Sequence, residues 1–343
     1  MAQLKNGMMV DPGPQAFDPN RRPTPAPDLP FMDRLRDQSF EPVFIMGEHR
    51  SGTTILYKML GLSNCFNIVT AYHVLCHDQI LADHIKGLKP GAKQRINDYL
   101  AAHGLQTRLV DSMPVDAEFS AEYGALLMRR RNRLRLSPRT YAVFDEFCRK
   151  VQFAGLPDRP LLLKNPPDSD NFLYLHQAYP RARFVFIHRH PIDVLSSQLS
   201  VIRRNWTEGN PWVDLMFPLR VKLAQSRWFS GLIRRIVAPA SIAQLPLRLL
   251  PWRSRRVRAA FARRISRLPA GSYIRLRYED LCRDPQKHMA DILAFLDQTP
   301  PNVVDYSKLI DSRPRRWPPD VERAKERLCK YFDCGIPADA YKV

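Results

Sequence analysis

The stretch PVFIMGEHRSGTTILYKML, which begins at residue 42, constrains the fold of this chain more than any other segment. Residues 43–46 form a short apolar run that Gly47 ends, as expected for a buried strand. The TTILYKMLGL segment that follows has helical spacing at its apolar positions Ile55, Met59 and Leu62. A strand, a glycine-bounded loop and a helix in this order are typical of a phosphate-binding P-loop.

The loop GEHRSGTT departs from the P-loop pattern G-x-x-x-x-G-K-[ST] at one position. Gly47, Gly52 and Thr54 fit that pattern, but Thr53 replaces the lysine. The loop amides from Arg50 to Thr54, the helix N-terminus and the two threonine hydroxyls would still bind a phosphate. Arg50 would reach a group beyond that phosphate, so the loop suits a 5′-phosphate that carries a further anionic group.

Further strand candidates predict the rest of the fold. Apolar runs at Leu161–Lys164, 183–189 and 273–278 indicate buried strands, and a helical pattern covers 285–296. Strands that alternate with helices predict a three-layer α/β fold with a parallel sheet covered on both faces. Two of these strands end in the cations Lys164 and Arg189, where a P-loop ATPase would place an aspartate for magnesium. The site is therefore expected to neutralise anions without a metal.

The stretch FVFIHRHPIDVLSSQLS is the second strong motif. Its strand delivers Arg189, Pro191 is suited to start a helix, and Ser197 falls on that helix eight residues after the arginine. The two side chains can converge on one phosphate. A structural pairing of Arg189 with Asp193 is the alternative.

Charge and composition divide the chain. Residues 1–30 hold seven prolines, which predicts a mobile arm over 1–40 and one domain over 41–343. A basic helical insert is predicted at about 205–270. Residues 215–267 contain thirteen arginines and lysines and no acid, and supply most of the net charge of +19. This insert would be either a solvated cap or a surface for anionic lipid or an acidic acceptor; no nucleic-acid-binding motif accompanies it.

The cysteines and the apolar content of the chain indicate the cellular compartment of the protein. The six cysteines are scattered without a Cys-x-x-Cys pair, and the first residues lack the apolar run of a secretion signal. No stretch reaches the roughly 18 apolar residues of a membrane span. We therefore expect a cytoplasmic protein, with the basic insert as a site for peripheral attachment to the inner membrane surface.

Four motifs together resemble a known family. RSGTT after a strand, then KNPP, HRHPIDVLSS and RYEDLCRDP, appear in the order found in sulfotransferases that use 3′-phosphoadenosine 5′-phosphosulfate (PAPS). The arginine in the first motif is similar to the bacterial and protein-tyrosine branches. The resemblance implies a P-loop sulfotransferase fold and sulfuryl transfer from PAPS to a hydroxyl or amine of a small-molecule, carbohydrate or lipid acceptor.

The resemblance also implies roles for individual residues. Arg50, Ser51, Gly52, Thr53 and Thr54 would bind the 5′-phosphosulfate, whereas Arg189 and Ser197 would bind the 3′-phosphate. Lys164 would stabilise charge on the bridging oxygen. In the segment DSRPRRW, the residues expected to close over the nucleotide are Arg313, Arg315 and Arg316.

A general base must accept the acceptor's proton, and the resemblance implies a histidine or glutamate about twenty residues after the loop. His73 in FNIVTAYHVLCHDQI is the first choice, with His77 and Glu48 as alternatives. Asp111 or Asp116 could instead orient the acceptor. The HVLCHD spacing is compatible with zinc, but the H-E-x-x-H glutamate and a third ligand are missing, so no metal is expected.

Two other functions compete with sulfuryl transfer. A P-loop kinase is disfavoured by Thr53 and by the lack of a magnesium aspartate. A non-catalytic basic protein that binds membrane surfaces through a degenerate nucleotide fold is disfavoured by the joint presence of Arg50, Lys164, Arg189 and Ser197.

Overall fold

A computed structural model describes residues 17–105, 107, 114–207, 211–216, 244–310 and 317–333. Within these ranges a five-stranded parallel sheet forms the centre. Its strands are β1 (Pro42–Met46), β2 (Asn67–Ile68), β3 (Leu161–Lys164), β4 (Arg183–His188) and β5 (Tyr273–Arg277). The strand order is β2-β3-β1-β4-β5. The predicted α/β fold is confirmed, and each predicted strand lies within one residue of its observed bounds.

Helices cover both faces of the sheet because every central strand is apolar on both sides. Phe44, Leu163 and Phe184 belong to the core on one face, whereas Ile45 and Leu162 belong to the core on the other. Adjacent residues of a strand point to opposite faces, so these runs fill both cores at once.

The described helices before the basic insert are α1 (Thr53–Leu62), α2 (Ala71–Leu75), α3 (Ile80–Ile85), α4 (Lys89–Ala102), α5 (Tyr123–Arg131), α6 (Tyr141–Phe153), α7 (Phe172–Ala178) and α8 (Pro191–Thr207). The later ones are α9 (Pro211–Met216), α10 (Gln244–Arg264), α11 (Tyr278–Arg283), α12 (Pro285–Phe295) and α13 (Pro319–Asp333). Helix α8 begins at Pro191 as predicted, because proline lacks the N–H that the first turn leaves unbonded.

The described part of the basic insert packs on the domain. Trp212 of α9 contacts the Phe119 ring at 5.3 Å, and Phe261 of α10 lies 4.9 Å from the Phe186 ring in the core. Helix α10 is thus anchored through the sheet's own hydrophobic core. No helix in the described ranges is long and apolar enough to cross a membrane.

The proline-rich arm differs from the prediction over residues 17–40. Asp28 is buried, and its carboxylate lies 2.9 Å from the Lys150 Nζ of α6. Phe17 packs edge-on against the Tyr99 ring at 5.7 Å. These contacts hold this part of the arm on the domain, because a buried charge pair fixes a segment that composition alone marks as mobile.

Candidate active site at the carboxyl edge of the sheet

The loop between β1 and α1 lies at the point where the strand order of the sheet reverses. Strand β1 is flanked by β3 on one side and β4 on the other, and the chain reaches these neighbours by separate crossovers. The carboxyl ends of the three strands therefore meet at a crevice of the kind that binds ligands in open α/β sheets. Residues 47–52, Lys164 and Arg189 all lie at this edge.

Two residues with positive φ shape the loop. Arg50 has φ 72° and Gly52 has φ 103°, so the chain turns sharply before α1 begins at Thr53. A Cβ at Gly52 would lie 2.4 Å from the Tyr278 ring, which explains why glycine is needed there. The turn leaves the first N–H groups of α1 without intrahelical partners at the crevice.

Ser51 has a structural role inside this loop. Its backbone N–H and its hydroxyl both donate to the carbonyl oxygen of Glu48, at 3.1 and 2.8 Å. Ser51 is among the residues predicted to bind the 5′-phosphosulfate, and that role stays a prediction. Its two donors close the turn, whereas Gly52, Thr53 and Thr54 stand at the start of α1, where the sequence predicts phosphate binding.

Arg50 contacts both Arg189 and Ser197, the two residues that the sequence predicts at the 3′-phosphate. The Arg50 Nε donates to the Ser197 Oγ at 2.8 Å, and the Arg189 Nη1 donates to the Arg50 carbonyl oxygen at 3.1 Å. The Arg189 guanidinium also stacks on the Tyr278 ring at 4.5 Å. Its Nε is buried and has no hydrogen-bond partner, and the pairing with Asp193 is not formed.

Lys164 lies on the opposite side of the loop from Arg189, at the end of β3. Its Nζ donates to the Thr54 Oγ1 at 3.1 Å and lies 3.4 Å from the Glu122 carboxylate. The lysine is 2% exposed. A buried ammonium group thus faces the first turn of α1 beside the loop.

Comparison with known proteins identifies this arrangement. Residues 42–215 match the sequence profile of the Sulfotransferase family. The matched range covers half of the chain and includes the loop, Lys164, Arg189 and Ser197. The chain belongs to the sulfotransferase family. No curated protein matches it.

Solved sulfotransferases share the fold. The sulfotransferase STF9 from Mycobacterium avium is similar with a TM-score of 0.53 and 15% identity, over 90% of this chain and 72% of that one. The sulfotransferase STF1 from Mycobacterium tuberculosis H37Rv has a TM-score of 0.53 and 16% identity, over 88% of this chain and 79% of that one. At such identities the likeness concerns the fold.

His73, the predicted base of this sulfotransferase, is part of a helix cap. It lies at the third position of α2, where its Nδ1 accepts a hydrogen bond from the Thr70 N–H at 3.1 Å. Burial, followed by the charges of Lys89 and Lys93, lowers the pKa of His73 to about 3. A ring that is 6% exposed and so weakly basic is poorly suited to take a proton from an acceptor, so we do not assign the base to it.

The alternative bases also have other partners. The His77 ring lies 2.7 Å from the Arg130 guanidinium and stacks on Phe147 at 5.8 Å, and burial lowers its pKa. The Glu48 carboxylate accepts hydrogen bonds from Ser254 and Arg258 of α10, both at 3.1 Å. Both side chains are therefore engaged by neighbouring residues, and their role as the base stays a prediction.

The remaining predicted contacts to the acceptor and the nucleotide are Asp111, Asp116 and the arginines of the DSRPRRW segment. Asp116 closes a local turn by accepting the Glu118 N–H at 2.9 Å. Asp111, Arg313, Arg315 and Arg316 lie outside the described residues. Among the residues that the structure does describe, no group of three or more histidine, cysteine or acidic side chains is placed to hold a metal.

The structure adds His49 and Glu122, which sequence reasoning missed. His49 lines a cavity of about 230 Å³ that Arg50 also lines. Burial lowers the pKa of His49, Glu122 raises it, and the cations Arg253, Lys164 and Arg50 lower it further. His49 stands inside the quoted loop motif, and its place beside Arg50 was the available signal. Glu122 has no such signal, because only packing brings it to Lys164.

Proposed function

We propose that this sulfotransferase takes its sulfuryl group from PAPS and transfers it to an acceptor hydroxyl. The meeting of Arg50, Arg189 and Ser197 beside the loop carries the proposal. The buried Arg189 Nε without a partner leaves a donor for an anion, since an unsatisfied buried N–H is costly. A nucleotide with a 3′-phosphate as well as a 5′-phosphosulfate supplies two anions. The 3′-phosphate would bind Arg189 and Ser197, and the 5′-phosphosulfate would bind the neighbouring loop at Arg50.

The cations at the strand ends favour this donor over a nucleoside triphosphate. A kinase of this fold needs a lysine in the loop and an acid that holds magnesium. Thr53 occupies the lysine position of the loop, Lys164 is the last residue of β3, and Arg189 directly follows β4. Fixed cations suit a donor that reacts without a metal, and they also argue against a degenerate site, because burying Lys164 without a function would be costly.

Lys164 and the first turn of α1 would stabilise the transition state. The new S–O bond forms from the acceptor oxygen as the bond between sulfur and the 5′-phosphate oxygen breaks, leaving adenosine 3′,5′-bisphosphate. The ammonium group of Lys164, already within 3.1 Å of Thr54, would offset the charge on the leaving oxygen. The amides of Thr53 and Thr54 would bind the same phosphate through the helix N-terminus.

His49 is our candidate for the base; burial lowers its pKa, and Glu122 is the acid whose charge raises it. A lowered pKa leaves the imidazole neutral at pH 7, which is the form that accepts a proton. The negative charge of Glu122 would stabilise the imidazolium that forms when the acceptor proton moves to His49. A base that lines the cavity beside Arg50 can meet the acceptor hydroxyl there.

A thermal-shift comparison tests the donor. Adenosine 3′,5′-bisphosphate should raise the melting temperature at concentrations where ATP with magnesium does not, because a ligand stabilises the state to which it binds. Adenosine 5′-monophosphate is the matched control for the 3′-phosphate. Equal stabilisation by the bisphosphate and the monophosphate would refute the 3′-phosphate site, and stronger stabilisation by ATP would favour a kinase.

A further inference from the structure

A cavity of about 600 Å³ lies along α10, next to the proposed active site. One wall is α10 itself, and the others come from residues 167–170 after β3, from the segment before α6 and from α13. Its charged lining consists of one acid, Asp170, and six arginines: Arg135, Arg253, Arg255, Arg256, Arg263 and Arg264. We call this cavity the arginine groove.

The surroundings of the groove orient several of these guanidinium groups. Arg256 lies over the Trp252 ring at 4.7 Å, and Arg255 lies over the Tyr331 ring at 5.0 Å. Stacking on an aromatic ring restricts the orientation of each guanidinium group. Arg135 lies 2.8 Å from Asp170, so the single acid is already paired.

Like charges gathered in one concavity repel each other, and the repulsion is relieved when an anion enters. Arginine carries N–H donors and no acceptor, so a ligand that fits must present acceptor oxygens. Phosphate, sulfate and carboxylate groups meet both conditions. A volume of about 600 Å³ is the size of a small-molecule site.

The groove continues into the cavity at the loop. Ser169, Arg253 and Val257 line both the arginine groove and the 230 Å³ cavity that His49 and Arg50 line. A molecule that lies across these shared residues would have one end at the loop and the other among the arginines. From residue 253 to residue 264 the helix rises by about 16 Å, which sets the length over which anionic groups can bind.

Resting on the proposed function, we propose that the arginine groove binds the anionic part of the acceptor. The acceptor is then a small molecule that carries a hydroxyl group at one end and two or more phosphate, sulfate or carboxylate groups at the other. Such an acceptor and the sulfuryl donor are both anionic and repel each other. The arginines offset that repulsion while the hydroxyl reaches the cavity at Arg50 and His49.

Titration calorimetry with myo-inositol hexakisphosphate as the anionic probe tests the groove, with myo-inositol as its neutral counterpart. Adenosine 3′,5′-bisphosphate is kept saturating so that the probe does not occupy the donor site. We expect hexakisphosphate to bind and inositol not to bind. Arg256→Glu with Arg263→Glu should weaken hexakisphosphate at least about tenfold, since two charge-assisted contacts become repulsive.

The control has the same change of charge elsewhere. Arg36→Glu with Arg181→Glu alters two side chains that are 80% and 86% exposed and line neither cavity. It should change hexakisphosphate affinity less than about threefold. Equal weakening by the two double variants would overturn the groove, because net charge alone would then explain binding. Arg256→Gln with Arg263→Gln replaces the groove variant if the latter unfolds.

The same titrations separate this proposal from the proposed function. Bisphosphate affinity should be unchanged in the groove variants, because neither arginine contacts the loop. If the parent does not bind bisphosphate, the donor assignment fails, and the groove is still judged from hexakisphosphate alone. If the groove variants lose binding to vesicles of phosphatidylcholine with 30% phosphatidylglycerol but keep hexakisphosphate affinity, the surface serves a membrane and the proposal is wrong.

Discussion

Glu48 in the β1–α1 loop and Arg258 on α10 form a buried ion pair, with 3.1 Å between Oε2 and Nε. Arg258 also donates from Nη2 to the Arg189 carbonyl oxygen at 2.7 Å. One side chain of the basic helix therefore holds both the loop and the end of β4. The sequence predicts a solvated cap or a binding surface for this basic segment, whereas Arg258 is buried against the loop.

Replacing Arg258 by alanine should destabilise the protein by about 3 to 5 kcal/mol, because the Glu48 carboxylate is left buried without its partner. Urea denaturation measures the change. Arg256→Ala, two residues earlier and exposed, is the control and should cost less than about 1 kcal/mol. Adding Glu48→Gln to Arg258→Ala should recover part of the loss, and equal losses for Arg258→Ala and Arg256→Ala would show that the pair contributes nothing.

Arg189→Ala should weaken adenosine 3′,5′-bisphosphate binding while leaving the fold intact. A charge-assisted hydrogen bond to phosphate is worth about 1.5 to 3 kcal/mol, so affinity should fall between about tenfold and a hundredfold. Titration calorimetry gives the affinity. Arg183→Ala, at the start of β4 and far from the loop edge, is the control and should bind as the parent does. An unchanged affinity in Arg189→Ala contradicts the 3′-phosphate assignment.

His49→Gln should lower the rate of transfer of labelled sulfate from PAPS into a cell-extract acceptor by about a hundredfold or more, with bisphosphate affinity unchanged. In the parent, the rate should fall as the pH drops through the His49 pKa, because protonation removes the base. That pKa is below 6.5, so activity should persist at pH 6.5. If Glu122→Gln is inactive while His49→Gln keeps the activity and the pH profile of the parent, the base is Glu122.

His73→Gln should make the protein less sensitive to acid. The folded-state pKa of His73 is about 3, below the ordinary 6.5, so between these values the unfolded chain binds the extra proton and stability falls as the pH falls. Protonation of His73 in the unfolded chain lowers the free energy of unfolding by up to about 1.4 kcal/mol for each pH unit. Glutamine can keep the cap on Thr70, so the variant should match the parent at pH 7.5 and exceed it at pH 5 in urea denaturation. Identical pH slopes for parent and variant would contradict the buried neutral histidine.

The local elements of the site were predictable because each is encoded by a short contiguous pattern. The apolar run before Gly47 and the spacing after Gly52 specify the strand, the loop and α1. Arg189 and Ser197 were paired in advance because a strand end and the next helix fix their separation. Lys164 followed in the same way, since parallel strands end at one edge.

His73 was misassigned because distance along the sequence does not say which way a side chain points. Helix α2 turns the His73 ring toward Thr70 and against the Tyr72 ring, in a buried position that only tertiary packing sets. The sequence also gave no reason to separate Arg258 from the other arginines of α10. Arg258 differs from the exposed arginines around it only in the face of the helix that it occupies.

By itself the sequence determined the parallel α/β fold, the loop between β1 and α1 and the positions of Lys164 and Arg189, since these depend on neighbouring residues and on the regular spacing of apolar residues. The tertiary structure alone decided that Glu48 meets Arg258 across 210 positions and that Glu122 meets Lys164. It also joined the arginine groove to the cavity at the loop. Such contacts arise when separate elements pack on a shared core, and no local pattern encodes which side chains then become neighbours.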